Sequence, residues 1–327
     1  MNDGITINRT GEVINFNANR YIKYFVTKIK IAALQADKIK DNIYYYYSKK
    51  ENVWKKMNEN DINEKLEIVF NERARYQWSE PYFKKCIFAL ASHSLNTKKL
   101  KESKNYINCK NGLLNLETLS LEPHNSEVFS VTQLPIEYNP KAKAPRFKKF
   151  LDEIFENDQQ IINLIQEIMG DALTTDTKAE QVIFFYGSNG KNGKSTLLSL
   201  IRALLGEKNV SSIALEDFND KFKLSEIVDK LANIADESNH NIKIETSILK
   251  RISSGNIIQI DKKYQQIYSS RPYATLFFSF NTLPKTDDTD VAWKRRMTII
   301  PFNHEPKIKN TSLFDELYEE LDGILAF

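Results

Sequence analysis

Soft metal ligands are scarce in this chain of 327 residues: two cysteines, Cys86 and Cys109, and four scattered histidines, His93, His124, His240 and His304. No C-x-x-C pair occurs, so neither a zinc site nor a disulfide framework is readable, and both thiols are expected to be reduced and structural. Long apolar runs are missing, and the N-terminus has no charged-then-apolar leader pattern. The expectation is a soluble, cytoplasmic protein with no membrane partner. A strong charge of either sign is also lacking, since the formal net charge is only +3. That balance neither demands nor excludes nucleic acid, because a groove can be locally basic on a near-neutral protein. Repeats and low-complexity tracts are absent. What remains, 41% apolar and 27% charged residues, suits a globular chain with a real core.

Three regions are expected. Residues 1–135 form an N-terminal α+β region, 136–175 a helical lead-in, and 176–327 an α/β domain. In the first, NRYIKYFVTKIKIAAL (19–34) predicts one helix. IYYYYSKKENVWKKM (43–57) predicts two strands around a polar turn, with Tyr44 to Tyr47 alternating in burial rather than stacking on bases. NCKNGLLNLETLSLEPH (108–124) has a hairpin pattern around Asn111-Gly112. The stretch 147–173 carries apolar residues at helical spacing and predicts two helices. Beyond it come four short apolar runs, QVIFFY (181–186), KLANIA (230–235), ATLFFSF (274–280) and MTIIPF (297–302), separated by helical stretches. Continuous apolar runs of this length suit strands of a parallel sheet covered on both faces, an α/β nucleotide-binding layout.

The run QVIFFY leads into GSNGKNGKST and then a helical stretch. Strand, glycine-rich loop and helix together make a phosphate cradle of backbone N–H groups at a helix N-terminus. The loop comprises Ser188, Asn189, Gly190, Lys191, Asn192, Gly193, Lys194, Ser195 and Thr196. Lys194 is expected on the β- and γ-phosphates of ATP and the Ser195 hydroxyl on Mg²⁺. Ser188 stands where the strict pattern has glycine, with Gly187 just before it. After the next run come Asp236, a candidate Mg²⁺ ligand, and Glu237, a candidate for polarising the attacking water. Asn281 ends the third run and could orient that water. Arg295 and Arg296 precede the fourth; an isolated Arg-Arg pair reads as a solvated turn, but here the pair could act in trans on a neighbour's phosphate.

The order GSNGKNGKST, ANIADE, ISSGNIIQIDKKYQQIY, FFSFNTLP, WKRRMTIIPF resembles superfamily 3 helicases of the phage and plasmid primase-helicase group, related to the poxvirus protein. The resemblance covers about residues 105–327 and, less securely, 43–105. It implies an AAA+-like P-loop NTPase core, a ring that is usually a hexamer, and ATP sites shared between subunits. It implies DNA in the central channel, single-stranded or forked, with 3′-to-5′ movement. It also maps a DNA-contacting β-hairpin onto 255–272, with Lys262, Lys263 and Tyr264 near its tip, which lysine charge and an aromatic ring would serve. Asn256 stands where many relatives have aspartate. The chain ends at LDGILAF, where relatives are expected to continue into a further helix and often a winged-helix domain. No priming motif is readable: Asp288 and Asp290 form a D-x-D, but in the loop before the arginines.

The resulting expectation is an ATP-dependent replicative DNA helicase of a mobile element in a bacterial cell, working beside a primase or other replication proteins. A P-loop ATPase that loads or remodels such proteins without unwinding is the alternative. A non-catalytic scaffold would need a dead site, which Lys194, Ser195, Asp236 and Glu237 together argue against.

Overall fold

The computed structural model describes residues 3–34, 42–188, 192–236, 245–261, 267–286, 288–304 and 310–327. The chain divides into two compact units, residues 1–102 with 125–131, and residues 103–124 with 132–327.

The smaller unit holds a four-stranded sheet in the order Val53–Met57, Ile43–Ser48, Ile31–Leu34, Leu95–Asn96. The expected tyrosine hairpin is present, with Tyr44 opposite Met57 and Tyr47 opposite Trp54. Its tyrosines alternate between two apolar clusters, Tyr44 and Tyr46 facing one and Tyr45 and Tyr47 the other. The helix expected over 19–34 is shorter, Ala18–Lys28, and IAAL becomes a strand. Asn17 caps the helix start by accepting from Arg20 N, while Ile29 is already extended at φ −123°. Tertiary pairing overrides propensity here, because Ala32 and Ala33 are fully buried opposite Tyr45 and Tyr44.

In the larger unit, Tyr106–Cys109, Gly112–Asn115 and Ser120–Glu122 form an antiparallel three-stranded sheet. The expected helix pair follows, α1 (Pro145–Ile154) and α2 (Gln159–Ala172), the second capped by Asp158. The main sheet has five parallel strands: β1 (Val182–Tyr186), β2 (Val210–Ser211), β3 (Ala232–Ala235), β4 (Thr275–Phe280) and β5 (Met297–Pro301). Their spatial order is β2-β3-β4-β1-β5.

Both faces of this sheet are covered, which is why its strands read as unbroken apolar runs. Ile183, Phe185, Ile234 and Phe277 pack with Leu197, Ile201 and Leu204 of α3 (Lys194–Leu205). Val182, Phe184, Leu276 and Phe278 pack on the other face with Leu249 and Ile252 of α4 (Thr246–Ser253) and with Trp293 of α5 (Val291–Lys294). Each such side chain, fully buried, contributes about 1.5–3 kcal/mol. The short edge strand β2 is pinned by a polar group inside β3. Buried Asn233 accepts from Ile213 N and Ser211 Oγ, both at 2.8 Å, and donates to Ile213 O at 3.0 Å.

No helix among the described residues is long and apolar enough to cross a membrane.

Candidate nucleotide site

Register sets the geometry of the site. Tyr186 lies level with Phe280, and Ala235 with Phe278, so β1, β3 and β4 end along one edge of the sheet. The residues that follow them, Gly187, Asp236 and Asn281, therefore gather at this C-terminal edge. Crevices outside the C-terminal ends of parallel strands are where open α/β sheets bind ligands.

Gly187 begins the loop, its N–H bonded to Phe280 O at 3.1 Å. A side chain there has no room: a Cβ would stand 2.3 Å from Asn192 Nδ2 and 2.6 Å from Phe302 O. Asn192, almost fully buried, donates from Nδ2 to Phe302 O at 3.0 Å and so ties the loop's far arm to the end of β5. Gly193 then turns the chain into α3 at φ +90°, packed so closely on Ile154 of α1 that a Cβ would fall 2.8 Å from its Cγ2. Only glycine meets both demands at once.

Lys194 opens α3 and is only 5% exposed. Its Nζ donates to Gly187 O at 2.5 Å and to Asn281 Oδ1 at 3.1 Å. Gly193 at the cap position offers no side-chain acceptor to the first N–H groups of α3. A helix start of this kind suits an anion, with the helix dipole and the lysine adding positive potential. Ser188, Ser195 and Asp236 are exposed, and Thr196 and Asn281 are half-buried. Among the described residues no three His, Cys, Asp or Glu side chains come together as a metal cage. The oxygen donors at this edge, Ser195 and Asp236, suit instead a hard cation that keeps its waters and takes phosphate oxygens. Asn189, Gly190, Lys191 and Glu237 lie outside the described residues.

The arginines stand elsewhere. Val182 N donates to Arg296 O at 2.7 Å, and Val182 is level with Met297. Arg295 and Arg296 thus lie at the N-terminal edge of the sheet. β1 has five residues at about 3.3 Å each, so roughly 15 Å separates them from the loop of the same chain. Both guanidiniums meet Glu180, a residue not singled out from the sequence: Arg295 Nη2 at 2.7 Å and Arg296 Nη2 at 2.8 Å from the same Oε2.

The D-x-D of the preceding loop is also engaged. Asp288 accepts from Lys250 Nζ at 2.8 Å and from the Thr246 hydroxyl, and the lysine bond above all holds its carboxyl down at about 2. Asp290 caps α5 through Ala292 N. These contacts staple the loop to α4. After α4, Ile258–Ile260 pairs antiparallel with Tyr268–Ser270, the two arms of the expected hairpin. Its tip residues Lys262, Lys263 and Tyr264 lie outside the described residues. The two cysteines are buried and free, and burial pushes each thiol up to about 12.

Comparison with known proteins adds relatives at the level of domain and fold. Residues 185–296 match a family model described as a family of unknown function (DUF5906), and residues 30–156 match one described as D5 N terminal like. Superposition finds "The A form apo structure of NrS-1 C terminal region-CTR" at a TM-score of 0.59, covering 93% of this chain and 67% of that one at 15% identity. The chain shares this fold. A second NrS-1 structure, "The apo structure of NrS-1 C terminal region (305-718)", superposes at 0.58 with 14% identity, over 94% of this chain and 67% of that one. In sequence, the Acanthamoeba polyphaga mimivirus protein named "Putative helicase L207/L206" is 28% identical over 169 residues, 46% of this chain. The match spans 17% of that protein's length.

Proposed function

We propose that the chain is the subunit of an ATP-driven DNA helicase with a superfamily 3, P-loop core, working in replication of a mobile genetic element. One observation carries the reading: a buried lysine opens a helix after a glycine loop and bonds the asparagine that ends the neighbouring strand. The mimivirus relative's name and the D5 N terminal like match support it.

In this reading, phosphates of ATP settle on the N–H groups of the loop 188–196 and the start of α3. Lys194 exchanges its bonds to Gly187 O and Asn281 Oδ1 for β- and γ-phosphate oxygens, which are stronger, charge-assisted acceptors. Ser195 and Asp236 hold Mg²⁺, which neutralises charge developing on the phosphates. Glu237 polarises the attacking water, and Asn281, once Lys194 has moved to phosphate, is available to orient it. Arg295 and Arg296 lie too far from their own loop to reach its γ-phosphate, so a finger drawn from this pair serves a neighbouring subunit in a ring, read as a hexamer. Lys262, Lys263 and Tyr264 carry the contacts to single-stranded or forked DNA inside it, with movement 3′ to 5′.

The test pairs nucleotide binding with strand displacement. Wild-type protein should bind ATP and unwind a fork with a 3′ single-stranded arm, while Lys194→Ala should lose ATP binding. Normal nucleotide affinity in that variant would sink the reading. Hydrolysis by an assembled ring without unwinding would favour an ATPase that loads or remodels replication proteins.

A further inference from the structure

We propose that Glu180 positions Arg295 for catalysis in the neighbouring subunit, and that Arg296 is the brace of Glu180 rather than a second finger. The inference rests on the shared-site reading above and divides its two candidate arginines.

Exposure separates them first. The Arg295 side chain is 61% exposed, that of Arg296 9%. Arg296 is bonded on three sides within its own chain: Nη1 to Ala292 O at 2.8 Å, and Nη2 to Ser254 Oγ at 2.7 Å and to Glu180 Oε2 at 2.8 Å. A guanidinium so engaged cannot swing to another subunit without breaking all three bonds and leaving half-buried acceptors behind. Arg295 gives one terminal nitrogen to Glu180, and the rest of its five-donor fork remains for a phosphate.

Glu180 is itself a constrained residue. Its backbone is left-handed at φ +50°, a conformation that disfavours a glutamate, and its N–H is bonded to Thr177 O at 3.2 Å. This turn sits immediately before β1 and aims the carboxylate at both arginines. Long exposed arginines sample many rotamers, so a fixed carboxylate beside the guanidinium reduces the ordering needed at the transition state. Ser254, the third contact of Arg296, ends α4 just before the hairpin arm Ile258–Ile260. The anchor of Arg295 is therefore also joined to the root of the hairpin.

Complementation in mixed rings tests the assignment. Glu180→Ala should lower kcat about 10–100-fold, the usual range for a positioning partner, with KM little changed. Glu180→Gln, whose amide oxygen accepts from both arginines, should retain most of the rate. Glu180→Gly relieves the left-handed backbone while removing the carboxylate, and it should lose activity as Glu180→Ala does. A wild-type rate in the glycine variant would overturn the proposal. Lys194→Ala subunits, inactive but with intact arginines, are then mixed with Arg295→Ala or with Glu180→Ala subunits. Recovery of ATPase in both mixtures supports the proposal. Recovery with Arg295→Ala but not with Glu180→Ala overturns it and leaves the shared site standing. Failure of the Arg295→Ala mixture would remove the shared site itself.

Discussion

At the C-terminal edge of the parallel sheet, buried Lys194 meets a backbone carbonyl and an amide oxygen; at the N-terminal edge, buried Arg296 meets a carboxylate, a hydroxyl and a carbonyl. Uncharged acceptors can be exchanged for phosphate with a gain in bond strength. A half-buried ion pair is harder to open, because it leaves the desolvated guanidinium of Arg296 without its carboxylate. One edge is arranged to be re-bonded by a ligand and the other to stay as it is. Mutations of the loop at the first edge should therefore fail in binding and rate, and loss of Arg296 at the second should fail in stability.

Arg296→Ala should show the largest effect. It removes one of the two guanidiniums on Glu180 and the donor to Ser254 and Ala292 O, and it opens a gap beside the start of β5, so unfolding should become easier by about 3 kcal/mol. Thermal melting with and without ATP measures this. A wild-type melt with a lost rate would place Arg296 in catalysis and break the contrast between the edges.

Gly187→Ala strikes the opposite edge. The added methyl meets Asn192 Nδ2, the Phe302 carbonyl and, at 3.1 Å, Lys194 Nζ, so the loop must shift. ATP affinity should fall about 100-fold, some 2.7 kcal/mol, with a smaller loss of melting stability than in Arg296→Ala. Titration with a fluorescent ATP analogue reads the affinity. An equal loss of stability would mean that this edge is as much a structural clamp as the other. Asn281→Ala should act more mildly on the same edge, lowering kcat about 10-fold with KM within a few-fold, as for loss of one water-orienting contact. A raised KM at constant kcat would assign Asn281 to ground-state binding.

The contrast between the edges is only half legible in the sequence. The four apolar runs become β1, β3, β4 and β5 because strands covered on both faces must be apolar throughout, and the glycine loop announces the first of them. Asn192 reads as one loop residue among nine, while its bond to Phe302 O depends on a contact 110 residues away. Glu180 carries no signal at all: an acid before a strand is common, and its arginines lie 115 and 116 residues further on. Nothing in KLANIA tells that Asn233 is buried and bonded to Ser211 and Ile213, since a polar residue in an apolar run equally suits an exposed position. Ile31–Leu34 reads as helix because the two alanines that favour helix are the very residues small enough to pack beneath the tyrosine strand. Local patterns reveal elements and the loop; partners distant in sequence decide what each edge does.

The smallest predicted effect tests whether the N-terminal edge is uniformly satisfied. Asp171 on α2 bonds the hydroxyl of Thr275, the first residue of β4, yet burial, with Asp176 nearby, pushes its carboxyl up to about 6 from 3.8. A carboxyl raised in the folded state binds its proton more tightly there than in the unfolded chain. Its contribution is fully present below about pH 4 and is lost as pH rises through 6. A rise of that size sets a ceiling of about 3 kcal/mol, and partial relaxation around the ionised group leaves about half of it as the expected effect. Asp171→Asn keeps an acceptor for Thr275 and removes the charge. Its melting temperature should match wild type at about pH 4 and exceed it by about 2–6 °C at about pH 7.5. A constant difference across that range would show that Asp171 keeps an ordinary carboxylate titration, and that this end of the sheet tolerates the charge.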